Sequence, residues 1–150
     1  MTDAARTLLI AGALSVVAAA SFVMRLRRQD IDSHARLVGE LRAANAAALL
    51  LAATGASTIG FAILNGAAPT AALETAFALL FVGAAGAMFF RTPREALTLG
   101  ALAFLVHALV DLAHRPGWLS PDMFPHAYLI GCAVYDGCIA GLCFLARQRS

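Results

Sequence analysis

The chain has 150 residues, 61% of them hydrophobic and 13% charged. A water-soluble domain is nearer half apolar and a quarter charged, so the composition excludes an ordinary soluble fold. The formal net charge of +2 rests on arginine alone, since no lysine occurs. The arginines sit at the ends of apolar runs rather than on one face, which excludes a nucleic-acid partner.

Five apolar segments follow in order, at 7–24, 43–64, 71–90, 96–113 and 126–146. A helix crossing the hydrocarbon layer needs about 17–25 apolar residues, and all five qualify. The predicted fold is an all-α bundle of five transmembrane helices in a single domain, with the lipid bilayer as its surroundings. The first segment is followed, not preceded, by the charges of "RLRRQ". That order is wrong for a cleaved signal peptide and predicts a retained span. The stretch "RLRRQDIDSHARLVGELR" is predicted to extend the second helix past the membrane and rest against lipid headgroups. "NGAAPT" reads as a short turn between the second and third helices.

"TPRE" (Thr92 to Glu95) carries a capping-box pattern with proline at the first helical position, and opens the fourth helix. "RPGWLSPDMFP" forms the longest loop outside the spans. The lone tryptophan there, Trp118, is expected at the membrane interface with Tyr128. The fifth segment holds all three cysteines, Cys132, Cys138 and Cys143. They lack CxxC or zinc-type spacing and read as packing residues. The same segment contains "GCIAG" (Gly137 to Gly141), a spacing that favours close helix contact in membranes.

Arginine placement sets the expected orientation. Arg25, Arg27, Arg28, Arg36, Arg42, Arg91, Arg94, Arg147 and Arg149 fall on one side, and Arg6 and Arg115 on the other. The positive-inside rule then places the N-terminus outside and the C-terminus in the cytoplasm, which requires an odd number of crossings. All-arginine usage suits a GC-rich bacterial genome, and the expected location is the bacterial inner membrane.

The fourth segment contains "HALVDLAH", two histidines and an aspartate inside a span. Nine strongly apolar residues between Leu97 and Leu112 favour insertion by roughly 3–5 kcal/mol, while a central Asp costs about 2.5–3.5 kcal/mol. Insertion is marginal without protein partners, so the polar groups need a reason. At 100° per residue, Ala96, Gly100, Ala103, His107, Asp111 and His114 share one face, opposite Leu102, Leu105, Leu109 and Leu112. The leucine face suits lipid and the other face meets protein. With a rise of about 1.5 Å per residue, His107 lies roughly 10 Å from the outer boundary and Asp136 about 15 Å. Ser57 and Thr58 fall at similar depth, and Glu74 and His126 lie nearer the surface.

Intramembrane ionisable residues mark functional sites. The expected substrate or proton site is therefore His107, Asp111 and Asp136, supported by Glu74, Ser57, Thr58 and Tyr135. Each group also has a structural reading. Glu74 suits the helix dipole in the first turn of helix three. Asp111 could pair with Arg115 one turn on. His114 and His126 could be simple interfacial residues, and a His107–Asp136 bond could merely fix packing. His107, Asp111 and His114 could also hold a transition metal from one helix, with His126 or Asp136 completing the set. Haem fits less well, because His107 has no histidine opposite it at matched depth.

Three functions are compatible with this pattern. The first is binding or moving a small solute, ion or proton, alone, as a homo-oligomer or with other membrane subunits. The second is a membrane-embedded enzyme acting on a lipid or quinone through the same residues. The third is a structural or assembly subunit with no site of its own.

Overall fold

The computed structural model describes residues 3–64, 70–114 and 124–148. Five helices account for nearly all of them: α1 Asp3–Arg27, α2 His34–Leu64, α3 Ala71–Met88, α4 Pro93–Ala113 and α5 His126–Arg147. No strand occurs among the described residues. All five helices are long and apolar enough to cross a membrane. The expected "NGAAPT" turn, the Asp111–Arg115 pair and the interfacial Trp118 involve residues outside those described.

Local chemistry fixes the helix starts. Ser33 Oγ accepts from the Arg36 backbone N–H at 3.1 Å and caps α2. This start makes α2 31 residues long, about 46 Å at the standard rise. The predicted continuation of helix two is present for residues 34–42 only: residues 25–27 end α1, and 28–33 form the connection between the two helices. At α4, Thr92 Oγ1 accepts from the Glu95 N–H, Glu95 accepts from the Thr92 N–H, and Pro93 stands at the first position. That is the expected capping box, satisfying two orphan donors at once. Pro125 opens α5, and its carbonyl accepts from the N–H groups of Tyr128 and Leu129.

Long-range bonds establish that successive helices run in opposite directions. Arg36, in the first turn of α2, reaches backbone carbonyls at the C-terminal ends of both α1 and α5. Arg147, at the end of α5, donates to Thr98 near the start of α4 at 2.8 Å. Those termini share one end of the bundle, which is rich in arginine. At the opposite end, His114 after α4 meets Glu74 in the first turn of α3. Tyr128 in α5 lies 3.4 Å from Ser57 in α2, oxygen to oxygen.

The core is built from small residues around a few large ones. Leu51, Leu97, Phe104 and Ile139 are fully buried among Ala44, Ala47, Ala48, Ala85, Ala96 and Ala140. Small side chains let helix backbones approach closely, which is how membrane helices associate without a hydrophobic driving force between them. Gly55 shows the limit. A Cβ there would lie 2.9 Å from the Ala78 carbonyl oxygen and 2.8 Å from Val82 Cγ2. The α2–α3 crossing therefore has no room for a side chain at that point.

The helix α4 faces match the sequence reading. Ala96, Gly100, Ala103, His107, Asp111 and His114 are all buried, and Leu102, Leu105, Leu109 and Leu112 are exposed. The "GCIAG" spacing departs from it. Gly137 and Gly141 are exposed, and a Cβ on either would meet nothing within 4 Å. Helix α5 turns Asp136, Ile139, Ala140 and Cys143 inward instead. The glycine pair makes no close contact inside this bundle.

At the arginine-rich end, Arg36 departs from a purely apolar bundle. It is 2% exposed. Its Nε donates to Glu40 Oε1 at 2.9 Å and its Nη1 to the Leu26 carbonyl at 2.8 Å. Nη2 donates to the carbonyls of Gln148 at 3.0 Å and Ala146 at 3.4 Å. Terminal helix carbonyls have no partner within their own helix. One guanidinium thus satisfies the ends of α1 and α5 from the first turn of α2.

Candidate functional site

The polar groups converge at the arginine-poor end, where α2, α3, α4 and α5 meet. His107 lies on the buried face of α4, and Asp136 on the buried face of α5. His107 Nδ1 and Asp136 Oδ2 are 2.7 Å apart, a direct hydrogen bond between the two helices. Asp111 is one turn along α4 from His107, and its Oδ2 lies 3.5 Å from the same Nδ1. One nitrogen therefore faces two carboxylates. The other side of the imidazole is covered by Phe81 of α3, edge-on at 4.6 Å between ring centroids.

Burial makes this arrangement costly. Asp136 is 0% exposed, His107 6% and Asp111 8%. Asp136 Oδ1 and Asp111 Oδ2 have no hydrogen-bond partner. A buried polar atom without a partner loses roughly 1–3 kcal/mol, and more when charged. A single imidazole balances one carboxylate but not two. A ligand-capable atom of each of the three side chains lies within 4.8 Å of the others. A void of about 20 Å³ borders His107 and Asp111, with Thr54, Ser57, Thr58 and Glu74 also on its wall. That volume suffices for a single water or ion and no more.

A second pair stands nearer the end of the bundle. His114 Nδ1 donates to the Val110 carbonyl at 2.8 Å. Its Nε2 lies 2.7 Å from Glu74 Oε1. Because a carbonyl only accepts, Nδ1 carries a proton, and the Nε2–Oε1 bond is made by one further proton held between the two side chains. His114 is 1% exposed and Glu74 2%. His114 sits inside the bundle, as its place on the protein-facing side of α4 implies, walled by Phe124 at 5.7 Å between ring centroids. Glu74 does occupy the first turn of α3, where the dipole favours an acid, but its direct partner is His114.

The remaining candidates divide by the direction they face. Ser57 and Thr58 both donate back to the Thr54 carbonyl, at 2.7 Å and 3.4 Å, and sit on the wall of the small void. Tyr135 faces away from its neighbour Asp136. Its ring packs over Gly12 of α1 and edge-on to Phe104. His126 is the exposed first residue of α5, while Tyr128 and Leu129 take the inward positions. Of the five residues considered as metal ligands from sequence, His107, Asp111 and Asp136 come together. His114 is committed to Glu74, and His126 is on the surface.

A wider cleft of about 670 Å³ lies between α1, α2 and α5. Its wall is apolar apart from Ser15, Thr54, Ser57, Tyr128, Tyr135 and the thiols of Cys132 and Cys138. Thr54, Ser57, Tyr128 and Cys132 border both this cleft and the small void beside His107. They form the partition between them. No protein-family model matches the chain, and neither does any curated protein or solved structure.

Proposed function

We propose that this is a bacterial inner-membrane protein, with its N-terminus outside, that holds a small cation at His107, Asp111 and Asp136. The observation that carries the reading is the pair of carboxylate oxygens that accept no hydrogen bond, Asp111 Oδ2 and Asp136 Oδ1, buried beside a single imidazole that both carboxylates face. A cation between them removes both the charge imbalance and the missing partners. Buried charges persist in proteins when they are paired or coordinate an ion. The orientation is supported by the arginine-rich end formed by the termini of α1, α2, α4 and α5. In that orientation the site lies in the outer half of the bilayer, and the exposed leucines of α4 face lipid.

Purified protein in detergent should be melted across a range of pH and with sodium, potassium, magnesium, calcium, zinc and manganese salts. At least one cation, the proton included, should raise the melting temperature of the wild type and not of Asp111→Asn. Indifference of the wild type to every cation and to pH would remove the reading.

A second reading has one observation in its favour. The 670 Å³ cleft opens beside the site and shares Ser57 and Tyr128 with it. A lipid or quinone lying in that cleft would bring its head group to the same partition, as a membrane-embedded enzyme requires. Photo-crosslinking from position 57 to a diazirine-bearing lipid or quinone in reconstituted membranes tests it. Labelling no greater than from Leu109 on the exposed face would count against this reading.

A further inference from the structure

The identity of the cation follows from the donor set, and this step rests on the cation reading above. We propose that the site takes one divalent transition-metal ion, such as Zn²⁺ or Mn²⁺, bound by His107 Nδ1 and one oxygen each of Asp111 and Asp136.

Three observations converge on this. The first is charge. Two carboxylates and a neutral imidazole carry −2, which a divalent ion cancels, leaving a neutral cluster suited to a buried position. An alkali ion leaves a net negative charge there. The second is donor chemistry. Imidazole suits zinc, copper, iron and nickel, while carboxylate and water suit magnesium, calcium and manganese. A mixed nitrogen and oxygen set therefore favours a transition metal over sodium, potassium, magnesium or calcium.

The third is spacing. Ligand bonds of about 2.0–2.2 Å put neighbouring donor atoms of a tetrahedral ion roughly 3.3–3.6 Å apart. His107 Nδ1 and Asp111 Oδ2 already stand at 3.5 Å. The 2.7 Å contact between His107 Nδ1 and Asp136 Oδ2 is a hydrogen bond; for the nitrogen to face a metal it must open and its proton must leave, either to Nε2 of the neutral ring or to solvent from a doubly protonated one. Asp136 Oδ1 has no partner to give up, so rotation of that carboxylate can present it instead. The void of about 20 Å³ beside His107 and Asp111 is large enough for the ion itself.

The test uses the full chain without a histidine tag, purified in detergent and stripped with a chelator. Zn²⁺ and then Mn²⁺ are titrated in competition with a chromophoric chelator, and bound metal is counted by elemental analysis. The wild type should bind one ion per chain. Asp111→Asn and Asp136→Asn should each weaken binding by at least about tenfold, the loss that even an outer-shell partner causes. Cys138→Ser should bind as the wild type does, because that exposed thiol is the obvious adventitious zinc ligand. Should Asp136→Asn fail to fold, Asp111→Asn decides, since it leaves the His107–Asp136 hydrogen bond in place.

Unchanged affinity in Asp111→Asn would overturn the proposal, as would binding lost in Cys138→Ser. A wild type that binds neither metal yet is stabilised by acid only when Asp111 is present would overturn the metal and leave a proton as the cation. A wild type that responds to neither would overturn the cation reading with it.

Discussion

Replacing Arg36 with methionine should be among the most damaging single changes outside the candidate site. Methionine keeps much of the length and the apolar stem of arginine but removes every donor. Four hydrogen bonds vanish, one to Glu40 and three to backbone carbonyls at the ends of α1 and α5. The largest cost is the Glu40 carboxylate, 3% exposed and left without its cation. Removing one partner of a buried ion pair costs about 3–5 kcal/mol. The carbonyls of Leu26, Ala146 and Gln148 lie at helix ends, where water replaces part of what they lose. The expected loss is therefore about 3–5 kcal/mol, measured by reversible unfolding in mixed micelles of mild detergent and SDS. The double variant Arg36→Met/Glu40→Met should recover most of it, since an apolar pair in place of a buried ion pair is often neutral or stabilising. A single-variant loss below about 1 kcal/mol, or a double variant worse than the single, would refute the assignment of Arg36 as the bracket of that end.

The remaining predictions concern packing, the second polar pair and topology. Gly55→Ala should destabilise by about 1–3 kcal/mol, because the Ala78 carbonyl blocks its Cβ. Gly100→Ala should cost less, since the one tight contact of its Cβ, at 2.9 Å, is with the flexible end of Met88, and Cys143 Sγ lies at an ordinary 3.7 Å; equal losses in the same unfolding assay would contradict that geometry. Leu109→Met on the exposed face should stay within about 0.5 kcal/mol of wild type, and a larger loss would mean the face is covered. Glu74→Ala should lower stability by about 1–3 kcal/mol by stranding His114, and His114→Ala added to it should cost little more; additive melting shifts would show they are not partners. With the native cysteines replaced, Asp3→Cys and Ser120→Cys should react with an impermeant thiol reagent from outside, and Ser150→Cys only after lysis. Labelling of both termini from one side would refute an odd number of crossings.

The sequence carried the fold because hydrophobic length and helix period are local properties. The segments 7–24 through 126–146 lie within the five helices, apart from two residues at the end of the third. The buried face of α4 could be read from a 100° rotation per residue alone. Depth counting also put His107 and Asp136 near one another, and they meet at 2.7 Å. The rotation of one helix against another is not local, so neither periodicity nor depth reveals it. Glu74 and His114 stand 40 positions apart, and no periodicity shows that α3 turns its first acid toward the end of α4. Arg36 resembles the other arginines between the first two apolar segments, because three of its four acceptors are main-chain oxygens that leave no trace in side-chain identity. The Gly137–Gly141 spacing pointed to a contact, yet α5 buries the face that carries Asp136 and leaves the glycines outside. A buried acid with a partner outweighs two glycines in fixing that rotation, since an unpaired one costs far more.

The central claim is that Asp111 and Asp136 are placed for a cation and not for the fold. Its sharpest test is the stability of Asp111→Asn relative to wild type at neutral pH, measured once with chelator and once with saturating Zn²⁺. Asparagine keeps the shape and removes one of two crowded charges. Without metal, Asp111→Asn should be as stable as the wild type or more stable, because the repulsion and the unpaired carboxylate oxygen are gone. With Zn²⁺, the order should reverse, the wild type gaining stability by mass action while the variant gains little. An Asp111→Asn protein that is less stable than wild type by the same margin in both conditions would contradict the account, and would make Asp111 a structural hydrogen-bonding residue of α4.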